Sequence, residues 1–215
     1  MRTGLSFQGR VLGGCLLVAG ETLQDGAVDH PAHARRFLET VERQVVRLQA
    51  IVQDLLDLAA IESGQRPPQP EEVDAGELLR AAAATAGEPA RQRKVELRVQ
   101  PPSQPVRLRA DRRQMEQAIA NLVDNALKYT EPGGRMTLSL EERDREVALA
   151  VSDTGVGIPP QDRERIFERF YRVDKGRSRR LGGTGLGLAI VKHPVRAMQG
   201  RVEMNSAAGR GSTST

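Results

Sequence analysis

The sequence predicts an α+β protein in two parts, a helical hairpin followed by an α/β sandwich, and three observations carry that prediction. Between residues 31 and 63 the positions Leu38, Val41, Val45, Leu48, Val52, Leu55 and Ala59 alternate spacings of three and four, the seam of a helix that packs on another helix. Gly64-Gln65-Arg66-Pro67-Pro68-Gln69-Pro70 then interrupts every regular pattern and opens a linker placed at 65–74. From residue 75 onward helical periods and strand-like alternation take turns, which fits one sheet with helices on a single face.

The hairpin is read over residues 1–64. Val11 to Ala19 (VLGGCLLVA) is apolar but too short to span a bilayer. Arg2 and Arg10 ahead of it give it the outline of a signal peptide, and Leu12-Gly13-Gly14-Cys15 that of a lipoprotein cleavage site. Because the chain runs straight into a helix pair, a core segment is the preferred reading. Ala19 to Asp29 closes the first helix and Gly26 to Pro31 makes the connection. Two hairpins facing each other make a four-helix bundle, so a homodimer is expected. A single hairpin lying on its own second domain would use the same stripe. His30 and His33, in or just after the turn, read as solvated.

The sandwich is read over residues 75–215. A helix at 75–86 precedes strands near 95–100 and 106–110, a helix at 111–129 and strands near 135–142 and 146–152. A short helix near 161–170, a helix from 185 and a strand near 201–205 follow. Pro194 falls inside the last helix, where a straight course would cost about 3 kcal/mol, so a kink or an early end is expected.

Composition narrows the function classes. Aromatic residues are only 3% and Trp is absent, so the core is aliphatic. The net charge of +4 comes from basic residues mixed with acids and without aromatic interleaving, which argues against a nucleic-acid surface. The single Cys15 excludes an internal disulfide framework and fits a reducing compartment.

The chemistry concentrates in three later segments. In Gln117 to Thr130 the apolar residues Ile119, Leu122, Val123, Ala126 and Leu127 mark a core face. Asn121, Asn125, Lys128 and Tyr129 share a second face, three or four residues apart. Two amides, an ammonium and a phenol suit an anion that carries a hard metal such as magnesium; ordinary exposed helix residues are the other reading of this segment alone. The strand Glu146 to Val151 runs into Ser152-Asp153-Thr154-Gly155-Val156-Gly157-Ile158, where Asp153 can accept from an exocyclic amine and the glycines admit a flat ligand. Gly182-Gly183-Thr184-Gly185-Leu186-Gly187-Leu188 opens a helix whose bare N–H groups form a phosphate site.

With those residues in view, the chain over residues 19 to 213 resembles the catalytic core of bacterial sensor histidine kinases. These belong to the wider family of gyrase, MutL-type repair proteins and large heat-shock chaperones. Asn121-Leu122-Val123-Asp124-Asn125-Ala126-Leu127-Lys128-Tyr129 resembles the N box, and Asp153 to Ile158 the first glycine box. Ile166-Phe167-Glu168-Arg169-Phe170-Tyr171-Arg172 resembles the F box, and Gly183 to Gly187 the second glycine box. The resemblance implies ATP and Mg2+ as cofactors and an ATP-binding sandwich of the gyrase–kinase type. It implies that Asn125 binds the metal with help from Asn121, that Lys128 and Tyr129 contact phosphate and lid, and that Asp153 reads adenine. Gly155, Gly157 and Ile158, Tyr171 and Arg172, and Gly183, Thr184, Gly185, Leu186 and Gly187 complete the implied nucleotide site. Lys175, Arg177, Arg179 and Arg180 lie where a lid would place positive charge.

By the same resemblance Asn121, Lys128 and Arg172 serve phosphoryl transfer, with Arg177 also offsetting charge. The acceptor is a neutral imidazole on the hairpin, and a response-regulator receiver domain is the partner. Asn121 stands where the hydrolysing relatives carry a Glu that activates water, and a neutral amide takes no proton, so kinase is preferred to gyrase-like hydrolysis. Met1-Arg2-Thr3-Gly4-Leu5-Ser6 resembles the tail of the phosphoacceptor box His-Glu-Leu-Arg-Thr-Pro-Leu, with Gly4 in place of the proline. In that register the His-Glu pair falls upstream of Met1, so no phosphoacceptor is expected within this chain. Gly209-Arg210-Gly211-Ser212-Thr213 resembles the turn into the family's last strand, which is expected to be cut short. A truncated nucleotide-binding dimerisation module without self-phosphorylation is therefore the alternative to an active kinase core. The expected location is cytoplasmic, with a longer parent protein anchored in the bacterial inner membrane.

Overall fold

The computed structural model describes residues 31–62, 67–143, 146–174, 176 and 183–215. The expected first hairpin helix, the last two hairpin residues 63–64 with linker residues 65–66, and Lys175, Arg177, Arg179 and Arg180 of the lid lie outside the described residues. The chain divides into two units, Met1–Leu56 and Asp57–Thr215. In the first, helix α1 (Pro31–Glu62) leaves Leu38, Val45, Leu48 and Val52 of its seam exposed, together with Val46 and Leu56.

The second unit opens earlier than the sequence reading placed it. Glu71–Asp74 lies in the expected linker but forms a strand, β1, because Val73 is buried and the backbone pairs antiparallel with β3 (Arg107–Ala110). An exposed ion pair, Glu72 with Arg107 at 3.0 Å, crosses that ladder. The expected strand near 106–110 thus belongs to a separate two-stranded sheet, so the sandwich holds two sheets among the described residues.

Asp74 then caps helix α2 (Ala75–Gln92), accepting from the N–H groups of Gly76 at 2.7 Å and Glu77 at 3.2 Å. The helix runs past Gly87 and Pro89, six residues beyond the expected end at 86. Its apolar stripe continues through Ala86 and Ala90, both buried, and that burial offsets the donor lost at Pro89.

The main sheet has the order β2-β4-β5-β7-β6. Strand β2 (Glu96–Gln100) runs parallel to β4 (Arg135–Arg143), which pairs antiparallel with β5 (Glu146–Asp153). Helix α3 (Arg112–Tyr129) begins at a cap from Asp111, whose carboxylate accepts from the Gln114 N–H at 3.0 Å. Its stripe of Ile119, Leu122, Val123, Ala126 and Leu127 is buried against Met136, Leu138 and Val151 of the sheet. Leu138 and Val151 are register partners, so those side chains share a sheet face. Helix α4 (Gly187–Ala197) packs on α3 and adds Val191 to the same core.

Three expectations are revised in detail. The short helix near 161–170 is two 3-10 turns, Pro160–Asp162 and Arg165–Phe167; Phe170 takes a left-handed φ of 62° that no continuous helix admits. The helix expected from 185 starts at Gly187, because Gly185 has a φ of 78°. It runs through Pro194 to Ala197 and ends where Gln199 takes a left-handed φ of 64° and the Gly200 N–H closes on the Val195 carbonyl at 2.8 Å. Strand β6 is Met204–Ser206 and β7 is Ser212–Ser214, with β7 seated between β5 and β6. Thr215 extends the β6–β7 ladder by one pair, its N–H and C=O bonding Glu203 at 2.9 and 2.8 Å.

Candidate functional site

Helix α3 buries its apolar stripe, and that burial turns Asn121 and Asn125 toward the start of α4. A Cβ placed on Gly187 would lie 3.3 Å from Asn121 Oδ1 and 3.7 Å from Asn125 Nδ2. The first turn of α4 has no side-chain cap, so its leading N–H groups face that space with the positive end of the helix dipole. Thr184 Oγ1 accepts from the Leu186 N–H at 3.2 Å and shapes the entry, with Gly183 just before it. Two neutral amides opposite an uncapped helix N-terminus make an anion site able to take a hard cation alongside.

The same helix joins the first glycine turn. Tyr129 closes α3, and its carbonyl accepts from the Val156 N–H at 3.3 Å, while a Cβ on Gly155 would sit 2.4 Å from that oxygen. Asp153 ends β5, and its Oδ1 accepts from the Gly155 N–H at 2.8 Å. Burial pushes the Asp153 carboxyl above the usual carboxylate range, and hydrogen bonds from the Gly155 and Ser212 backbones hold back part of that rise. Asp153 and Asn125 therefore lie along one wall, linked through the last turn of α3.

Ser206 was not foreseen as part of this site. Its hydroxyl accepts from the Ile158 N–H at 2.7 Å and donates to the Gly211 carbonyl at 2.9 Å, tying the glycine turn to the β6–β7 hairpin. The contact spans 48 residues, so local spacing carries no signal of it.

The F-box segment meets the second glycine box directly. The Phe170 N–H donates to the Gly185 carbonyl at 2.8 Å, and a Cβ on Gly185 would lie 3.3 Å from the Tyr171 carbonyl oxygen. The Tyr171 hydroxyl donates to Asp162, and the Arg165 guanidinium lies 4.2 Å over its ring. The accepting Asp162 carboxylate pushes the phenol above its ordinary range. Arg172 is half-buried. Lys128 forms an ion pair with Asp124, four residues earlier on α3, so its ammonium folds back along its own helix. Contacts thus join Tyr129 of α3 to Gly155 and Val156 of the Asp153 turn, Gly157 and Ile158 of that turn to Ala207 and Ser206, and Asn121 and Asn125 to Gly187.

A two-amide helix face, a strand-end aspartate on a glycine turn and an uncapped helix on a mixed sandwich define a class of nucleotide-binding ATPase domain. Residues 110–215 match the histidine kinase-, DNA gyrase B- and HSP90-like ATPase family, and residues 16–64 match the His Kinase A phospho-acceptor domain. The sensor-like histidine kinase SenX3 of Mycobacterium tuberculosis is 38% identical over 202 residues, 94% of this chain and 49% of that protein. The solved structure of the mycobacterial sensor histidine kinase MprB superposes with a TM-score of 0.57 at 32% identity, over 68% of this chain and 94% of MprB. Full-length ShkA, solved in complex with AMPPNP, gives 0.70 at 29% identity, over 85% of this chain and 38% of ShkA. The chain belongs to the sensor histidine kinase family. It spans about half the length of the SenX3 relatives that it matches. No described helix is long and apolar enough to cross a membrane.

Proposed function

We propose that this chain is the core of a two-component sensor kinase, which binds Mg2+-ATP between α3 and α4 and donates the γ-phosphoryl group to a histidine. The observation that carries this reading is the facing of Asn121 and Asn125 across Gly187 onto the bare start of α4. In it Asp153 accepts from the adenine amine, the 184–187 backbone N–H groups hold the phosphates, and Tyr171 and Arg172 border them. Among the described residues no cluster of His, Cys, Asp or Glu is poised for a metal, so the fit rests on neutral amides beside a triphosphate that brings its own charge. Asn125, supported by Asn121, is the protein ligand; bound there, the cation supplies charge neutralisation on the phosphate oxygens.

The reaction breaks the bond from the γ-phosphorus to the bridging oxygen of ADP and forms a phosphorus–nitrogen bond to a neutral imidazole. Lys128 leaves Asp124 to offset charge on the moving group. Water is a poor acceptor here, because Asn121 is neutral and Glu116, a turn further back, pairs with Arg112 at 3.8 Å. A response-regulator receiver domain takes the phosphoryl group onward. The hairpin dimerises through the exposed α1 seam, and the assembly works in the cytoplasm as part of a longer, membrane-anchored protein.

None of the three histidines, His30, His33 and His193, carries the neighbouring Glu of a phosphoacceptor box. The chain by itself is expected to bind Mg2+-ATP without labelling itself. Titration calorimetry with and without magnesium tests the site, and incubation with γ-labelled ATP tests the acceptor. No heat in either titration overturns the reading; an acid-labile, base-stable label on this chain places the acceptor within it.

A further inference from the structure

Strand β5 borders a cavity of about 390 Å3 at its Glu146 end, between α3 and α4, where Arg201 spans the gap to Glu146 at 2.6 Å. At its other end polar side chains close the sheet. Asp153 pairs in register with Ser212 of β7, and Ser212 pairs with Ser206 of β6. Directly opposed residues share a face, so the carboxyl and the two hydroxyls form one row across three strands.

The hydrogens of that row have a fixed order. A serine hydroxyl has one hydrogen to donate and two lone pairs with which to accept. Ser206 Oγ donates its hydrogen to the Gly211 carbonyl at 2.9 Å and accepts from the Ile158 N–H at 2.7 Å. Its third contact, with Ser212 Oγ at 2.9 Å, is therefore one in which Ser212 donates. Strand β7 lies between β5 and β6, so the Ser212 hydrogen points away from Asp153. The Asp153 carboxylate is left with two backbone donors, the N–H groups of Gly155 and Ser212.

We propose, on the nucleotide reading above, that Ser206 is a positioning residue for adenine selection: it draws the Ser212 hydrogen away from Asp153, so that the carboxylate keeps a lone pair open for the exocyclic amine. A purine with a carbonyl at that place has no hydrogen to offer and gains nothing from the open lone pair. Without the Ser206 hydroxyl, the Ser212 hydrogen turns to the strongest acceptor in the row, which is the Asp153 carboxylate, and competes there with the amine.

Calorimetry on the whole chain with magnesium, comparing ATP with ITP, which carries a 6-carbonyl, tests this. Ser206→Ala is expected to weaken ATP about tenfold and ITP less than about twofold. In the nucleotide-free variant the Asp153 carboxyl, followed by carbon-13 NMR, is expected to titrate at lower pH than in wild type, because an added hydrogen bond favours the carboxylate. Adding Ser212→Ala to Ser206→Ala removes the competing hydrogen and is expected to restore both readings, although the Ile158 N–H still lacks its partner. Ser206→Thr is expected to keep wild-type selectivity, and Ser206→Cys, a weaker acceptor, to fall between wild type and Ser206→Ala. Ser152→Ala breaks the hydroxyl pair with Thr213 at 3.0 Å on the other face of the same strands and is expected to change neither reading. Equal loss of ATP and ITP in Ser206→Ala, or no recovery in the double variant, overturns the proposal. If the wild type binds neither nucleotide, the nucleotide reading falls and the titration decides alone: an Asp153 carboxyl that Ser206→Ala leaves unmoved overturns the proposal.

Discussion

The two ends of strand β5 are built to different standards. At the Asp153 end backbone meets backbone with no slack. A Cβ on Gly211 would lie 1.9 Å from the Asp153 carbonyl oxygen, and one on Gly157 would lie 1.9 Å from that of Ala207. At the Glu146 end the side chains of Val147 to Ala150 are half-exposed over the cavity, and a surface ion pair spans the gap. Tight backbone packing is confined to the end that aims Asp153 and the glycine turn, while the end that aims nothing keeps free volume.

The largest test of that contrast is steric. Gly211 and Gly157 have φ of 85° and 66°, so alanine at either position meets both a strained backbone and an overlapping carbonyl. Each substitution is expected to cost about 3 kcal/mol or more in denaturant unfolding, against about 1 kcal/mol for Leu149→Ala beside existing space. A loss at Leu149→Ala as large as at the glycines would break the comparison.

Next in size is Asn125→Ala, expected to weaken magnesium-dependent ATP binding about 10- to 100-fold in calorimetry while leaving the melting temperature unchanged. The Asp153→Asn variant sharpens the comparison through pH. Burial raises the folded carboxyl above the unfolded value, so the folded state binds the proton more tightly. Below the unfolded value of 3.8 that group contributes nothing, and its destabilisation grows as pH rises through the window up to the raised value and then levels off. Asp153→Asn keeps the acceptor for the Gly155 N–H, so it is expected to melt above wild type at pH 7, with the gap closing toward pH 4. It is also expected to bind ATP at least tenfold more weakly. A melting temperature below wild type at pH 7 would contradict this assignment of the shift.

The smallest effect is expected from Leu149→Phe, which fills part of the cavity and is expected to gain about 0.5–1 kcal/mol by differential scanning calorimetry. A destabilised variant would mean that the space is needed as it stands.

Where periodicity and burial coincide, sequence and structure agree. Helix α3 was expected over 111–129 and runs from Arg112 to Tyr129, because its five apolar positions all reach the core and Asp111 stops it cleanly. The glycine boxes were readable because they need particular residue types at fixed spacing. What local pattern could not reveal was pairing at a distance. Strand β3 joins β1 rather than the main sheet, Ser206 anchors the turn at Ile158, and Asp162 takes the Tyr171 hydroxyl. Lys128 shows the reverse limit: its partner Asp124 was in plain view four residues away, yet the phosphate role was read first.

The carbonyl of Tyr129, the last residue of the helix carrying Asn121 and Asn125, receives the amide of Val156 in the turn that begins at Asp153. A shift of this helix along its axis moves the Asp153 turn and the Asn121–Asn125 face together, so in the proposed binding mode a push on α3 would retune both ends of the grip at once, like a single key turning two bolts.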